Sequence, residues 1–549
     1  MAPRRNAGAG RAEGLRLRHR LRPAGGCRAV NALRIGIDVG GTNTDAVVVD
    51  DSGTVVAATK AATTPDPFDG IRAALQRVVA GVDTSAITQA MLGTTHPANA
   101  IIQRRDLGRV GVLRIAAPSS LAVRPGAAWP QDLLDVVHGP SAIIGGGFEY
   151  DGTEIARLDV EAVRKFTARC AGEVSAIAIT SPFSPASPDH ELRAAKIIAE
   201  ELGPDFPVSL SHQVGALGLL ERENATTLNA SLLGVAERVV LGFHSALAGH
   251  GLSVASYLTQ NDGTLMTAEE AVRFPILTVG SGPTNSMRGA GALAGLTDAL
   301  VIDVGGTSSD VGILVDGFPR ESSAAVEVGG VRTNFRMPDL ISIGLGGGTV
   351  VRPGPDGPRI GPDSVGYRVV DEALVRGGQT LTLSDISVRA GRLAGFGDAD
   401  RLSEVDPSMV SAALAWVDER IQVMCERMKA SRSELPLIAV GGGSHLVPDT
   451  VPGVSEVLRP EHYSVANAFG AAIAEASGAV DRVYRYEPKG REACLEEARA
   501  LARAAAERAG ADPCRLRITS VHEVPLSYLP GKTCRVQVKA AGPLAGTAR

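Results

Sequence analysis

Two octets in this chain carry residue types that could do chemistry together. Asp38-Val-Gly-Gly-Thr-Asn-Thr-Asp45 and Asp303-Val-Gly-Gly-Thr-Ser-Ser-Asp310 are identical at six of eight positions. In each, adjacent glycines (Gly40 and Gly41, Gly305 and Gly306) can take backbone angles closed to other residues, so successive N–H groups can converge on an anion. Thr42 or Thr307 adds a hydroxyl, with Asn43 or Ser308 next in the chain. Asp38 and Asp303, at strand ends, are expected to hold a hydrated magnesium ion rather than touch phosphate, because bare carboxylate and phosphate repel. With Asp310 they are the candidate catalytic acids. Two such bends facing each other form a clamp for a polyphosphate. For one copy alone, the competing reading is a tight Gly-Gly turn whose aspartates bond local backbone; repetition of the whole pattern in the same context argues against it.

The flanking residues say how the octets are held. Leu33-Arg-Ile-Gly-Ile37 leads into the first and Ala46-Val-Val-Val49 leaves it, with a turn at Asp51-Ser-Gly53. Ala299-Leu-Val-Ile302 and Val311-Gly-Ile-Leu-Val315 flank the second, with a turn at Asp316-Gly317. Short apolar, β-branched runs on both sides predict a hairpin, not a strand feeding a helix, which excludes the two commonest nucleotide loops.

These hairpins resemble those of the superfamily of actin, sugar kinases and heat-shock chaperones, whose two related lobes each present one to ATP. A closer resemblance is to the hydantoinase A/5-oxoprolinase family, ATP-dependent enzymes that open cyclic amides. It runs over residues 33–486 and is carried by Gly93-Thr-Thr-His-Pro-Ala-Asn99, Glu221-Arg-Glu-Asn-Ala-Thr-Thr-Leu-Asn-Ala230, Gln260-Asn-Asp-Gly263, Gly280-Ser-Gly-Pro283, Ile343-Gly-Leu-Gly-Gly-Gly348, Val440-Gly-Gly-Gly-Ser444 and Asn467-Ala-Phe-Gly-Ala-Ala472. The resemblance implies an α/β fold: two related lobes of actin-like ATPase (ribonuclease H-like) type around a nucleotide cleft, with a small C-terminal α+β appendage. It implies ATP and Mg2+ as cofactors, a cyclic amide such as a hydantoin or 5-oxoproline as substrate, and a second subunit of hydantoinase B type. Phosphorylation of the amide oxygen would make a poor electrophile open to water. Because the family includes the ATP-using subunits of acetone and acetophenone carboxylases, a carboxylase role stays open, as does an ATP-switched binding protein of chaperone type. The adenosine loop, Gly441-Gly-Gly-Ser-His445, departs from the family's usual alanine and proline order.

Composition narrows the classes further. A net charge of -5 and 4% aromatic residues offer neither a basic groove nor a stacking platform for nucleic acid. The six cysteines, Cys27, Cys170, Cys425, Cys494, Cys514 and Cys534, form no close pair, which fits a reducing cytosol and argues against a disulfide framework or structural zinc. No apolar run is read as reaching the roughly 18 to 20 residues that span a bilayer, so a cytoplasmic protein is expected. Residues 1–32 carry eight arginines against the single acid Glu13; they are read as a disordered tail, or a coding start placed upstream of Val30, in preference to a targeting segment.

At 549 residues the chain has room for several domains. The resemblance implies an N-terminal lobe over 33–208 and a core lobe over 209–486, and 487–549 reads as a small C-terminal domain of a helix and short strands. Helical spacing is expected over 67–80, 190–202, 221–249 and 408–428, and buried strands over 90–93, 110–115, 176–179 and 436–440. Arg352-Pro-Gly-Pro-Asp-Gly-Pro358 reads as a surface hairpin or flap. Gly441, Gly442 and Gly443 follow a buried strand and would let a purine lie against backbone. The glycines at 344 and 346–348 are equally able to be a packing bend or a lid hinge. Thr94, Thr95 and Asn99, after a strand, are candidate substrate contacts, while His96 is read as structural. Glu223 is the candidate on the 221–249 helix, where Glu221 and Asn224 share a face; solvated helix polarity is the competing reading. His212 and His445 lack spacing diagnostic of a transition metal.

Overall fold

Both octets fold as antiparallel hairpins in the same register. In the first, strands Leu33–Val39 and Asn43–Val49 set Asp38 opposite Asp45 and Val39 opposite Thr44. In the second, Ala299–Val304 and Ser309–Val315 set Asp303 opposite Asp310 and Val304 opposite Ser309. The strands between them bury almost every side chain because each hairpin lies inside a sheet covered on both faces. The computed structural model describes residues 32–546 except 42, 63–66, 323–324, 356, 528 and 530–531. Expectations for the segment before Ala32, and for Thr42, fall outside the described residues.

The first hairpin sits in a nine-stranded sheet and the second in a six-stranded one, so the expected pair of related lobes is present. In each, the entering strand is flanked on its other side by a parallel strand: Ile87–Thr94 beside Leu33–Val39, and Leu435–Val440 beside Ala299–Val304. A third sheet, Val110–Ala117 with His138–Gly145, Ala176–Thr180 and Val208–Leu210, is wholly parallel. Two helices join the hairpin sheets. Ser281–Ala294 packs on the second-lobe strands and Ala466–Ile473 on Leu33–Val39 and Asn43–Val49. They cross at glycine contacts: a Cβ on Gly470 would lie 1.9 Å from the Asn285 carbonyl oxygen, and one on Gly289 1.9 Å from that of Ala466. Only bare backbone permits this approach.

Sequence boundaries at 208/209 and 486/487 do not separate the sheets. Strands Ala255–Thr259, Leu265–Thr267 and Ala476–Arg485, expected in the core lobe, extend the first-lobe sheet. The C-terminal α+β piece adds Arg517–Pro525 and Thr533–Gly542 to the same sheet, while helix Arg491–Arg508 packs against it. It is therefore no separate domain, and its strands are long: Thr533–Gly542 pairs along its whole length with Ala476–Arg485. A continuous core of Ala498, Ala502, Val536 and Val538 with Met91 and Leu265 is the reason. The 31-residue helix Leu219–Gly249 also corrects an expectation, being long and apolar enough by composition to cross a membrane. Leu228 and Leu232 enter one core and Val239 and Phe243 another, so its apolarity is that of a helix packed on several sides. Between strands Thr349–Arg352 and Arg359–Ser364, Pro353, Gly354, Pro355 and Gly357 are exposed, as expected of a surface turn.

Candidate functional site

The two bends face one cleft of ≈ 480 Å³, lined by Asp38, Gly40, Gly41 and Asn43 from the first hairpin and by Asp303, Gly305, Gly306, Thr307, Ser308 and Asp310 from the second. Within each bend the first glycine amide is consumed by the turn: Gly40 N–H donates to the Asn43 carbonyl at 3.0 Å, and Gly305 N–H to that of Ser308 at 2.9 Å. Gly306 and Thr307 keep amides with no partner among the described residues. None of Gly40, Gly41, Gly305 and Gly306 has a left-handed φ, so the expected reason for glycine is corrected. Space is what matters: a Cβ on Gly41 would meet no protein atom within 4 Å, leaving it to occupy the cleft.

The glycine loop at 344 and 346–348 is a packing bend. Gly347 and Gly348 N–H donate to the carbonyls of Gly305 and Gly306 at 3.0 and 2.7 Å, and a Cβ on Gly346 would sit 2.6 Å from Thr307 N. The bend thereby engages the carbonyls of both glycines of the second octet. Gly441, with φ +86, lies where a Cβ would be 2.3 Å from Asp303 Oδ1; Gly443 N–H donates to the Val304 carbonyl at 2.7 Å. Gly442 faces open space and lines the cleft. Tyr367, Val370 and Phe396 are apolar members of the same lining.

Buried carboxylates dominate the electrostatics. Asp38 is 3% exposed and accepts from Asn285 Nδ2 on Oδ1 and from Asn467 Nδ2 on Oδ2, both at 3.0 Å. Burial raises its pKa to about 7, with the negative charges of Asp45 and Asp303 adding to the effect and the two amides opposing it. Asp303, which accepts from Ser286 Oγ, is raised by burial as well. Asp310 is raised to about 6 by burial, against the hydroxyl of Ser342 and with the charge of Asp303. Asp45 is raised by burial and opposed by Lys60, whose Nζ is 2.5 Å from Oδ1. His445, on the cleft wall, is lowered to about 4 by burial and by Arg392 and Arg459, which keeps it neutral.

Buried carboxylates of raised proton affinity that line one cleft, as Asp38 and Asp303 do, are suited to share a cation. Among the described residues no group of three or more His, Cys, Asp or Glu is arranged to hold a metal. Two carboxylates with water and phosphate oxygens are the ordinary magnesium environment, so Asp38 and Asp303 fit that ion.

Other candidates divide. Thr95 lines the cleft and bonds the Val39 carbonyl through both N–H (3.2 Å) and Oγ1 (3.1 Å). Thr94 is buried, its hydroxyl 2.8 Å from His96 Nδ1, and Asn99 donates to Thr95 Oγ1 at 3.4 Å; both stand behind the cleft wall. Glu223 is elsewhere, in a buried bidentate pair with Arg114 at 2.6 Å for each contact. Burial of this stretch of the helix, not solvation, explains it. Neighbouring Arg222, also buried, donates to Ser211 Oγ at 2.9 Å, and that hydroxyl donates to Glu191. His212 Nδ1 is 2.7 Å from Glu191 Oε2, away from any metal-like cluster among the described residues. Sequence reasoning missed Asn285, Ser286, Asn467, Lys60 and the acid role of Asp45. Asn467 begins one of the segments quoted for the resemblance and Asn285 follows another by two residues, but neither has a local signature of contact with Asp38.

Comparison with known proteins bears on the family and the fold. A family model described as the hydantoinase/oxoprolinase N-terminal region matches residues 34–202, and one described as hydantoinase/oxoprolinase matches 222–396. Caprolactamase subunit alpha of Pseudomonas jessenii is 26% identical over 473 residues, 80% of this chain and 65% of that protein. The acetophenone carboxylase gamma subunit of Aromatoleum aromaticum is 28% identical over 400 residues, 66% of this chain and 53% of that one. The chain thus spans about half to two thirds of the length of these curated relatives. In fold, the crystal structure of the ATP-dependent caprolactamase from Pseudomonas jessenii superposes with a TM-score of 0.73 at 20% identity, covering 94% of this chain and 89% of that one. A nucleotide-free acetone carboxylase structure gives 0.67 at 19% identity, covering 94% and 88%.

Proposed function

We propose that this chain, a member of the hydantoinase/oxoprolinase family, is the ATP-using subunit of an enzyme that opens a cyclic amide. The observation that carries the reading is the pair of like hairpins lining one cleft, with the charge of Asp303 adding to the raised proton affinity of Asp38. The amides of Gly306 and Thr307 would take phosphate oxygens, and Gly442 with the rings of Tyr367 and Phe396 that line the same cleft would take adenosine. Asp38, oriented by Asn285 and Asn467, and Asp303, oriented by Ser286, would hold the magnesium ion. That ion supplies charge neutralisation at the transferred phosphoryl group. Asp310 stands beside Asp303 as a further acid of raised proton affinity.

In the proposed reaction the amide oxygen attacks the γ-phosphorus while the P–O bond to ADP breaks, its electron pair leaving with ADP. Water then adds to the activated carbon and the ring C–N bond breaks, a proton going to nitrogen, which leaves an acyl phosphate; a second water cleaves this to the carboxylate and free phosphate. One ATP and two waters are consumed per ring opened. The relatives are named as subunits, which supports a second polypeptide of hydantoinase B type for the hydrolytic half.

Similarity to acetophenone and acetone carboxylase subunits favours one second reading, in which activation precedes carboxylation. Phosphate release would be followed with the chain and its co-expressed partner, offering hydantoins, 5-oxoproline, lactams, or acetone with bicarbonate. Stimulation by a cyclic amide is the expected result. Dependence on bicarbonate would move the assignment to the carboxylases, and stimulation by neither would defeat both.

A further inference from the structure

The two lobes build the same three-strand unit with one chemical difference. Opposite Asp45, on the neighbouring strand Val55–Ala62, stands Lys60; opposite Asp310, on the neighbouring strand Leu340–Ile343, stands Ser342. Lys60 Nζ reaches Asp45 Oδ1 at 2.5 Å, and Ser342 Oγ donates to Asp310. A neutral hydroxyl therefore suffices to hold the buried acid at this position of the fold. Packing gives no reason for a lysine in the first lobe.

Lys60 is also the one lysine or arginine among the described residues that line the cleft, against Asp38, Asp45, Asp303 and Asp310. Its charge is felt by Asp303 in the other lobe, so it lies in the field between the two bends. With 33% of its side chain exposed and only 4% of that of Asp45, the ammonium is anchored on one side and open on the other. Lysine's flexible stem and compact charge suit a group that changes partner. A polyphosphate entering a cleft with four acids needs more positive charge than one divalent ion supplies.

We propose that Lys60 is the cation that takes the terminal phosphate of the nucleotide, and that Asp45 holds it ready until the nucleotide arrives. The inference rests on the reading of the cleft as an ATP site. It makes Lys60 the group that distinguishes a nucleoside triphosphate from a diphosphate, since the inner phosphates are served by backbone amides in both cases.

The test titrates the full chain with magnesium ADP and with a magnesium complex of a non-hydrolysable ATP analogue, by calorimetry, alongside thermal melts. Lys60→Ser, which copies the second lobe's arrangement, is expected to melt near the wild type and to bind ADP within about 3-fold of it. It should bind the triphosphate analogue about 10–100-fold more weakly, the worth of one charge-assisted hydrogen bond. Lys60→Arg should regain most of that loss. Equal effects on both nucleotides, or no effect on the analogue, would overturn the role of Lys60 while leaving the ATP site standing. A wild-type chain that binds neither nucleotide would overturn the ATP site itself.

Discussion

Changing pH between 8 and 6 addresses Asp38 directly, because its proton affinity is tied to what the cleft holds. Burial moves the carboxyl from 3.8 to about 7, a differential of ~4 kcal/mol at ~1.36 kcal/mol per pKa step. The folded protein binds this proton more tightly than the unfolded chain does. Its contribution to stability is therefore complete below pH 3.8 and lost as pH rises through about 7. A magnesium nucleotide needs the ionised carboxylate and reverses the preference. At pH 6 roughly 90% of Asp38 is protonated, so binding should release ~0.9 proton there and ~0.1 at pH 8, with affinity ~10-fold weaker at pH 6. Calorimetry of magnesium ADP in two buffers of different ionisation enthalpy reads both quantities. Asp310, raised to about 6, and Asp45 and Asp303, raised by burial, lie in the same cleft, and replacing Asp310 or Asp45 by Asn separates their contributions from that of Asp38. In denaturant melts without nucleotide, Asp38→Asn should gain on the wild type by roughly 2–3 kcal/mol between pH 5 and 8, as the buried charge it lacks develops. Equal proton release at both pH values, together with a flat stability difference, would refute the assignment of a strained, cation-seeking carboxylate.

Three substitutions test the scaffold around that group. Gly93→Ala puts a Cβ 2.2 Å from Asp38 Oδ1 and 2.3 Å from Asn285 Nδ2, so magnesium nucleotide affinity should fall at least ~10-fold for the loss of a charge-assisted bond; wild-type affinity would show that Asp38 tolerates displacement. Gly470→Ala forces the helix pair apart at the Asn285 carbonyl, and overpacking should lower stability by ~1–3 kcal/mol in denaturant melts while weakening nucleotide binding through both asparagines. Glu223→Ala strands buried Arg114 and should destabilise by ~3–5 kcal/mol with nucleotide affinity of the folded protein unchanged; a selective loss of affinity would return Glu223 to the site.

Amino-acid order alone determined the two hairpins, their strand ends and the main helices, because short β-branched runs around a Gly-Gly bend and 3.6-residue spacing are local signals. It also grouped Asp38, Asp303 and the glycines of both octets, which line one cleft, since an eight-residue repeat needs no contact information to be recognised. Residues that orient the acids were a different matter. Asn285 and Asn467 reach Asp38 from helices hundreds of positions away, and they do so only because Gly289 and Gly470 let those helices touch backbone to backbone. The bend at 344–348 acquired its role from the carbonyls of Gly305 and Gly306, which no spacing rule connects to it. Lobe boundaries followed sheet pairing, not chain order: Ala476–Arg485 and the strands after it complete the sheet that Leu33–Val39 occupies. Glu223 shows the opposite failure, a charged residue on a polar-looking helical stretch that packing turned inward against Arg114. Local sequence specifies which chemistry a segment can offer; burial and long-range packing specify which groups meet, and with what proton affinity.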